Sequence, residues 1–159
     1  MAQAPNWSAA PEFLDKNVKD FCANGYADDS FNHCAHFVAH ALGLSVGYTC
    51  KKQTGGKHDG ASVRVHELFA SCHQVGHWAD RQATLLDCLV FITHPGNVHL
   101  KTKTMDNHPT KHVGVFSNGS VVHYSNTKDR VVRQTLEEFR HHYPPPHNGL
   151  FFGTVLGFG

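Results

Sequence analysis

Along the first half of the chain, apolar residues recur at helical spacing. Pro11 opens a segment in which Phe13, Leu14, Val18 and Phe21 share one face, closed by Gly25. A second stretch, HCAHFVAHALGL (33–44), places Cys34, Phe37, Val38, Ala41 and Leu42 at i, i+3, i+4, i+7 and i+8. Gly43 is its expected C-cap, and Asn32 or Ser30 its N-cap. Residues 51–60 are polar and glycine-rich and are expected to be a loop. SVRVHELFASC (62–72) predicts a third helix with Val63, Leu68 and Phe69 partly inside.

The period then changes. LLDCLVFITH (85–94) is an apolar run suited to a central strand, and a polar loop (95–110) follows it. HVGVF and SVVHYS flank Ser117-Asn118-Gly119, an alternating pair around Asn-Gly that predicts a hairpin. RVVRQ (130–134) predicts a short strand, TLEEFRHHY (135–143) a short helix and LFFGTVLGF (150–158) a last strand. Helices first and an antiparallel meander of four to six strands afterwards make an α+β domain, with the helices on one face or end of the sheet. Residues 1–10 are small and polar and are expected to be a flexible N-terminal segment, leaving 11–159 as one domain.

Composition narrows the function. The chain of 159 residues carries 14 Lys and Arg against 13 Asp and Glu, a net charge of +1. That balance argues against nucleic acid as a partner. No apolar run has the length of a membrane span, and the first residues lack the pattern of a secretory signal. The expectation is a protein made in the cytoplasm, with any export by a signal-independent route. Five cysteines cannot all pair internally, so at least one thiol is free. Fifteen histidines make the charge rise steeply between about pH 7 and 5.

Cys34 is expected in the first turn of its helix, where exposed N–H groups and the helix dipole favour a thiolate and lower the thiol pKa. His112 and His123 fall on partner strands at the end of the hairpin away from its turn. One can serve as base toward Cys34 while the other fixes its tautomer. Cys22, Cys72 and Cys88 read as structural, and Cys50 as bordering a loop.

These pieces match a known pattern. NHCAHFVAHALGL resembles the nucleophile helix of the NlpC/P60 and CHAP families of papain-like cysteine peptidases and amidases. LDCLVFITH is similar to their Gly-Asp-Leu-Val-Phe-Phe strand, and HVGVFSNGSVVHYSN to their hairpin carrying the base. The resemblance covers residues 20–126 in order. It implies a papain-like fold, with Cys34 as nucleophile, His112 as general base and His123 or Asn126 as the third residue. It implies hydrolysis of a peptide or amide bond, in most relatives a bond of peptidoglycan peptides, with no cofactor and no metal. Small members without a signal include amidase effectors of type VI secretion, for which an immunity or inhibitor protein is the expected partner. Substrate contacts would fall on Tyr26, His33, Ala35, His36 and Asp87. The families usually carry Asp-Cys-Ser-Gly where this chain has His33-Cys34-Ala35-His36, a change on the substrate side of the site.

A second reading is a zinc module. His36 and His40 share a helix face at i, i+4, and His33, Cys34 and His73 or His77 could complete a ligand set. A third is a papain-like domain that binds without turnover.

Overall fold

The computed structural model describes residues 7–28 and 32–155. Ser30, one of the two expected caps, residues 1–6 and the last four residues of the chain lie outside the described residues.

The expected first helix divides in two. Trp7–Phe13 forms a 3-10 helix with Pro11 inside it and Ala10 buried, so the part of the N-terminal segment from Trp7 onward is packed structure. Asp15 takes a positive φ, and a new helix, α1 (Val18–Phe21), starts at Asn17. The cause is a capping box: the Asn17 side chain accepts from Lys19 N, and Asp20 returns a bond to Asn17 N.

Helix α2 (Cys34–Leu42) is where the pattern placed it. Gly43, at φ 72°, ends it by donating to the Ala39 carbonyl. Phe37, Val38 and Ala39 are fully buried, each large side chain contributing about 2 kcal/mol by burial. The expected loop 51–60 begins with a short helix, α3 (Cys50–Thr54), capped by Thr49. Helix α4 (Val65–Ser71) is shorter than its pattern.

The sheet has six antiparallel strands: β1 (Gln74–His77), β2 (Cys88–Thr93), β5 (Lys111–Ser117), β6 (Ser120–Ser125), β7 (Arg130–Gln134) and β8 (Gly149–Thr154), in the order β1-β8-β2-β5-β6-β7. Two short strands, β3 (Val98–His99) and β4 (Thr104–Met105), pair apart from it inside the expected loop. The order departs from a simple meander, because β8 returns along the free edge of β2 and separates it from β1. With partners on both edges and cover on both faces, every residue of β2 is buried. The β5–β6 turn uses Asn118 (φ 53°) and Gly119 (φ 77°), the two left-handed positions of a two-residue hairpin.

Helices α2 and α4 and the N-terminal elements cover one face, over Val113, Val115, Val122 and Tyr124. The other face carries a smaller cluster of Val90, Ile92, Val121 and Phe139, the last from α5 (Leu136–Arg140). The helices therefore lie on both faces. Among the described residues no helix is long and apolar enough to cross a membrane.

Candidate functional site

Cys34 opens α2, and its N–H donates to Asn32 Oδ1 at 2.9 Å. The N-cap position itself is His33, one residue later than expected, and Asn32 satisfies the Cys34 N–H from just before it. The sulfur reaches the sheet where two strands part. The β5–β6 ladder pairs only Val115–Ser117 with Ser120–Val122. Beyond it, the backbone N–H of Val113 acts on the Cys34 sulfur, with that of Ala35, to favour the thiolate. Burial opposes them and prevails: Cys34 is 1% exposed, and desolvation pushes its thiol up to about 11. A pKa lowered by the helix N-terminus was the expectation. The sealed sulfur reverses it, since a thiolate without water costs more than one helix turn returns.

His112 follows the alternation of β5 and faces the α5 side with Gly114 and Phe116. It is fully buried; the His142 ring stacks on it at 4.0 Å and the Phe139 ring lies at 5.6 Å. Its Nε2 lies 2.9 Å from His123 Nδ1, and His123 Nε2 lies 2.7 Å from Gln134 Oε1. This chain sets the tautomers. The Gln134 oxygen accepts from His123 Nε2–H, so His123 Nδ1 accepts from His112 Nε2–H. The lone pair of His112 is left on Nδ1, which is buried and has no hydrogen-bond partner. Burial lowers the pKa of His112 well below the usual histidine range and that of His123 to about 4, so both rings rest neutral.

Cys34 and His112 thus reach neighbouring residues of β5 from different faces: the Val113 N–H favours the Cys34 thiolate, while the His112 ring packs on the α5 side. No hydrogen bond joins them. A narrow cleft of about 140 Å³ lies beside Cys34, lined by Asn32, Val63, Arg64, Asn107, Pro109 and Lys111; His112 does not line it. Loop 95–110 walls this cleft. Loop 51–60 instead borders a larger hollow of about 1110 Å³ beyond the C-terminal half of α2.

Of the two candidates for the third position, His123 holds His112. Asn126 is exposed, and its Oδ1 accepts from His33 N at 3.4 Å, bracing the turn before Cys34. Most of the expected substrate contacts are elsewhere. Ala35 and His36 are buried on the packed side of α2, and His33 is 1% exposed and bonded to Asp28 O and His36. The Tyr26 ring lies against the His33 and His36 rings, 5.0 and 5.1 Å away. Asp87 accepts from Ser117 at the hairpin end of β5, about 16 Å along the strand from His112. A helix whose apolar face surrounds these positions turns them inward, which a motif match alone does not reveal.

The expected zinc set is also rearranged. Cys34 is not among its members, and His73 and His77 are exposed near the far edge strand. His36 and His40 are joined instead by Cys22 and Cys50, with one donor atom from each of the four within 4.8 Å of the others. Cys50, expected to border a loop, is fully buried. The i, i+4 histidine pair was the sequence signal for this cluster; the two cysteines gave none, because they stand on separate elements. Cys72 and Cys88 are buried, as structural thiols should be.

Comparison of the chain with protein-family models, curated proteins and solved structures returned no match.

Proposed function

We propose that the protein is a papain-like cysteine hydrolase in which Cys34 attacks the carbonyl carbon of a peptide or amide. The observation that carries this reading is the state of His112: Nε2 is held by His123 and Nδ1 is buried and unpartnered, on the residue that precedes Val113, whose N–H favours the Cys34 thiolate. Leaving such an atom unpaired costs about 1–3 kcal/mol, and an active site is a reason for a fold to bear it.

In the proposed reaction the Cys34 S–H proton passes to His112 Nδ1 as sulfur bonds to the carbonyl carbon. His112 returns the proton to the leaving nitrogen as the C–N bond breaks, and water then hydrolyses the thioester with the same imidazole as base. The resting pair is neutral thiol and neutral imidazole, so proton transfer accompanies attack. It requires a movement that brings sulfur and Nδ1 into contact, since no hydrogen bond joins them at rest; catalytic bonds in free enzymes often form or tighten on substrate binding. The Cys34 N–H is already occupied by Asn32 Oδ1, which leaves the Asn32 side-chain N–H₂ beside the cleft as a donor for the oxyanion. Arg64 and Lys111 border the same cleft and suit an acyl donor bearing carboxylates, as the stem peptides of peptidoglycan do.

The test is incubation of the full chain with purified cell-wall peptides, followed by mass spectrometry. Cleavage lost in Cys34→Ala, with its melting temperature retained, is the expected result. Intact peptides that nevertheless bind would make the domain a binding module.

A further inference from the structure

We propose that Cys22, His36, His40 and Cys50 form a buried structural zinc site, separate from Cys34, that clips the end of α1 and the start of α3 to α2. One donor atom from each lies within 4.8 Å of the other three. His36 Nε2 and His40 Nε2 are 3.1 Å apart, and Cys50 Sγ is 4.0 Å from His40 Nε2. Tetrahedral zinc with ordinary bond lengths separates two nitrogens by about 3.3 Å and two sulfurs by about 3.8 Å. The His36–His40 and His40–Cys50 separations are thus close to those of that polyhedron.

The surroundings are those of ligands. Asp28 O can only accept, so His33 Nε2, 2.7 Å away, carries its proton. His33 Nδ1 then accepts from His36 Nδ1 at 3.1 Å, which puts the His36 lone pair on Nε2, facing His40. A histidine oriented through its second nitrogen is the usual support of a metal ligand. Cys50 Sγ receives the Ala61 N–H at 3.3 Å and the Asn24 amide at 3.6 Å. Cys22 ends α1 in a turn closed by Gly25 N to Cys22 O, with φ +76° at Gly25. Donors directed at the Cys50 sulfur suit a thiolate.

Charge agrees as well. Two thiolates and two neutral imidazoles balance one divalent cation, so the filled site is neutral where it is buried. Four protein ligands leave no position for a substrate, the mark of a structural site, and the sulfur–nitrogen set favours zinc over magnesium or calcium. At 100° per residue, position 34 is turned about 200° from position 36, so the metal and Cys34 use different sides of α2.

The experiment is elemental analysis and X-ray absorption at the zinc edge on the untagged full chain, with cobalt exchange. About one zinc per chain, bound by two sulfurs and two nitrogens, is expected, with a thiolate-to-cobalt charge-transfer band and tetrahedral visible bands. Cys34→Ala should keep all of these, which separates this site from the hydrolase reading. Cys50→Ser should weaken binding by about 100-fold or more, since losing a ligand costs at least as much as losing one of its outer-shell partners. The proposal is overturned by a shell of nitrogen and oxygen alone, by loss of metal in Cys34→Ala, or by a Cys22–Cys50 disulfide in protein kept under reductant. It also fails if the protein holds no metal and melts identically with added zinc or chelator. The absorption measurement uses the unmutated chain, so a Cys50 variant that does not fold leaves the test intact.

Discussion

His112 Nε2 and His123 Nδ1 stand 2.9 Å apart, and Gln134, behind His123, determines which of the two rings donates. The pair gives a graded prediction. His123→Ala should lower kcat on cell-wall peptides by roughly 100-fold or more, because His112 loses the partner that selects its tautomer. Gln134→Leu should act in the same direction and more weakly, and His123→Asn, which retains an atom near Nδ1, should recover part of the loss. Equal rates in all three would remove the relay from the mechanism.

Asn32 provides a second test, because its oxygen and nitrogen have different work. Asn32→Asp keeps the acceptor that caps Cys34 N–H and removes the N–H₂ group. The expected outcome is a fall in kcat of about 100-fold with a small change in KM. Unchanged kcat would leave Asn32 as a helix cap alone.

Buried thiol chemistry gives a third. With the Cys34 thiol pushed up to about 11, iodoacetamide at mildly acid pH should label it no faster than the other cysteines, and labelling should climb as pH rises toward the alkaline range. Peptide mass spectrometry of a labelling time course reads this directly. Rapid selective capture of Cys34 near pH 6 would mean that the thiolate is already formed at rest.

Stability should depend on pH through His123. Its pKa falls from an ordinary 6.5 to about 4 on folding, so the unfolded chain takes up a proton first. The contribution is intact above 6.5 and is lost as pH drops from there through 4. At about 1.4 kcal/mol per unit, the loss is on the order of 3 kcal/mol. Urea midpoints between pH 7.5 and 4 should fall, and His123→Asn should flatten part of that slope; a slope identical in the variant would assign it to other histidines.

Gly114 explains how two imidazoles fit beside α5. A Cβ there would lie 2.7 Å from Val121 Cγ1, 3.1 Å from His123 Cβ and 3.3 Å from Phe139. Gly114→Ala should cost roughly 1–3 kcal/mol and lower kcat by shifting His123. A variant of wild-type melting temperature and rate would show that this corner yields freely.

Much of this was legible in the residues. The apolar spacing of Phe37, Val38 and Leu42 placed α2 and put Cys34 at its start, and Asn118-Gly119 set the hairpin that pairs His112 with His123. Those are local matters, decided by backbone geometry and periodicity within a dozen residues. Other outcomes depended on segments far apart in the chain. Cys22 and Cys50 meet His36 and His40 only because α1 and α3 pack against one helix, and β8 lies beside β2 because the backbone N–H and C=O groups on that buried edge need partners. The burial that raises the Cys34 pKa and turns Ala35 and His36 inward is likewise a sum over the whole molecule. Solvent exposure belongs to the packed chain, and no stretch of sequence carries it alone.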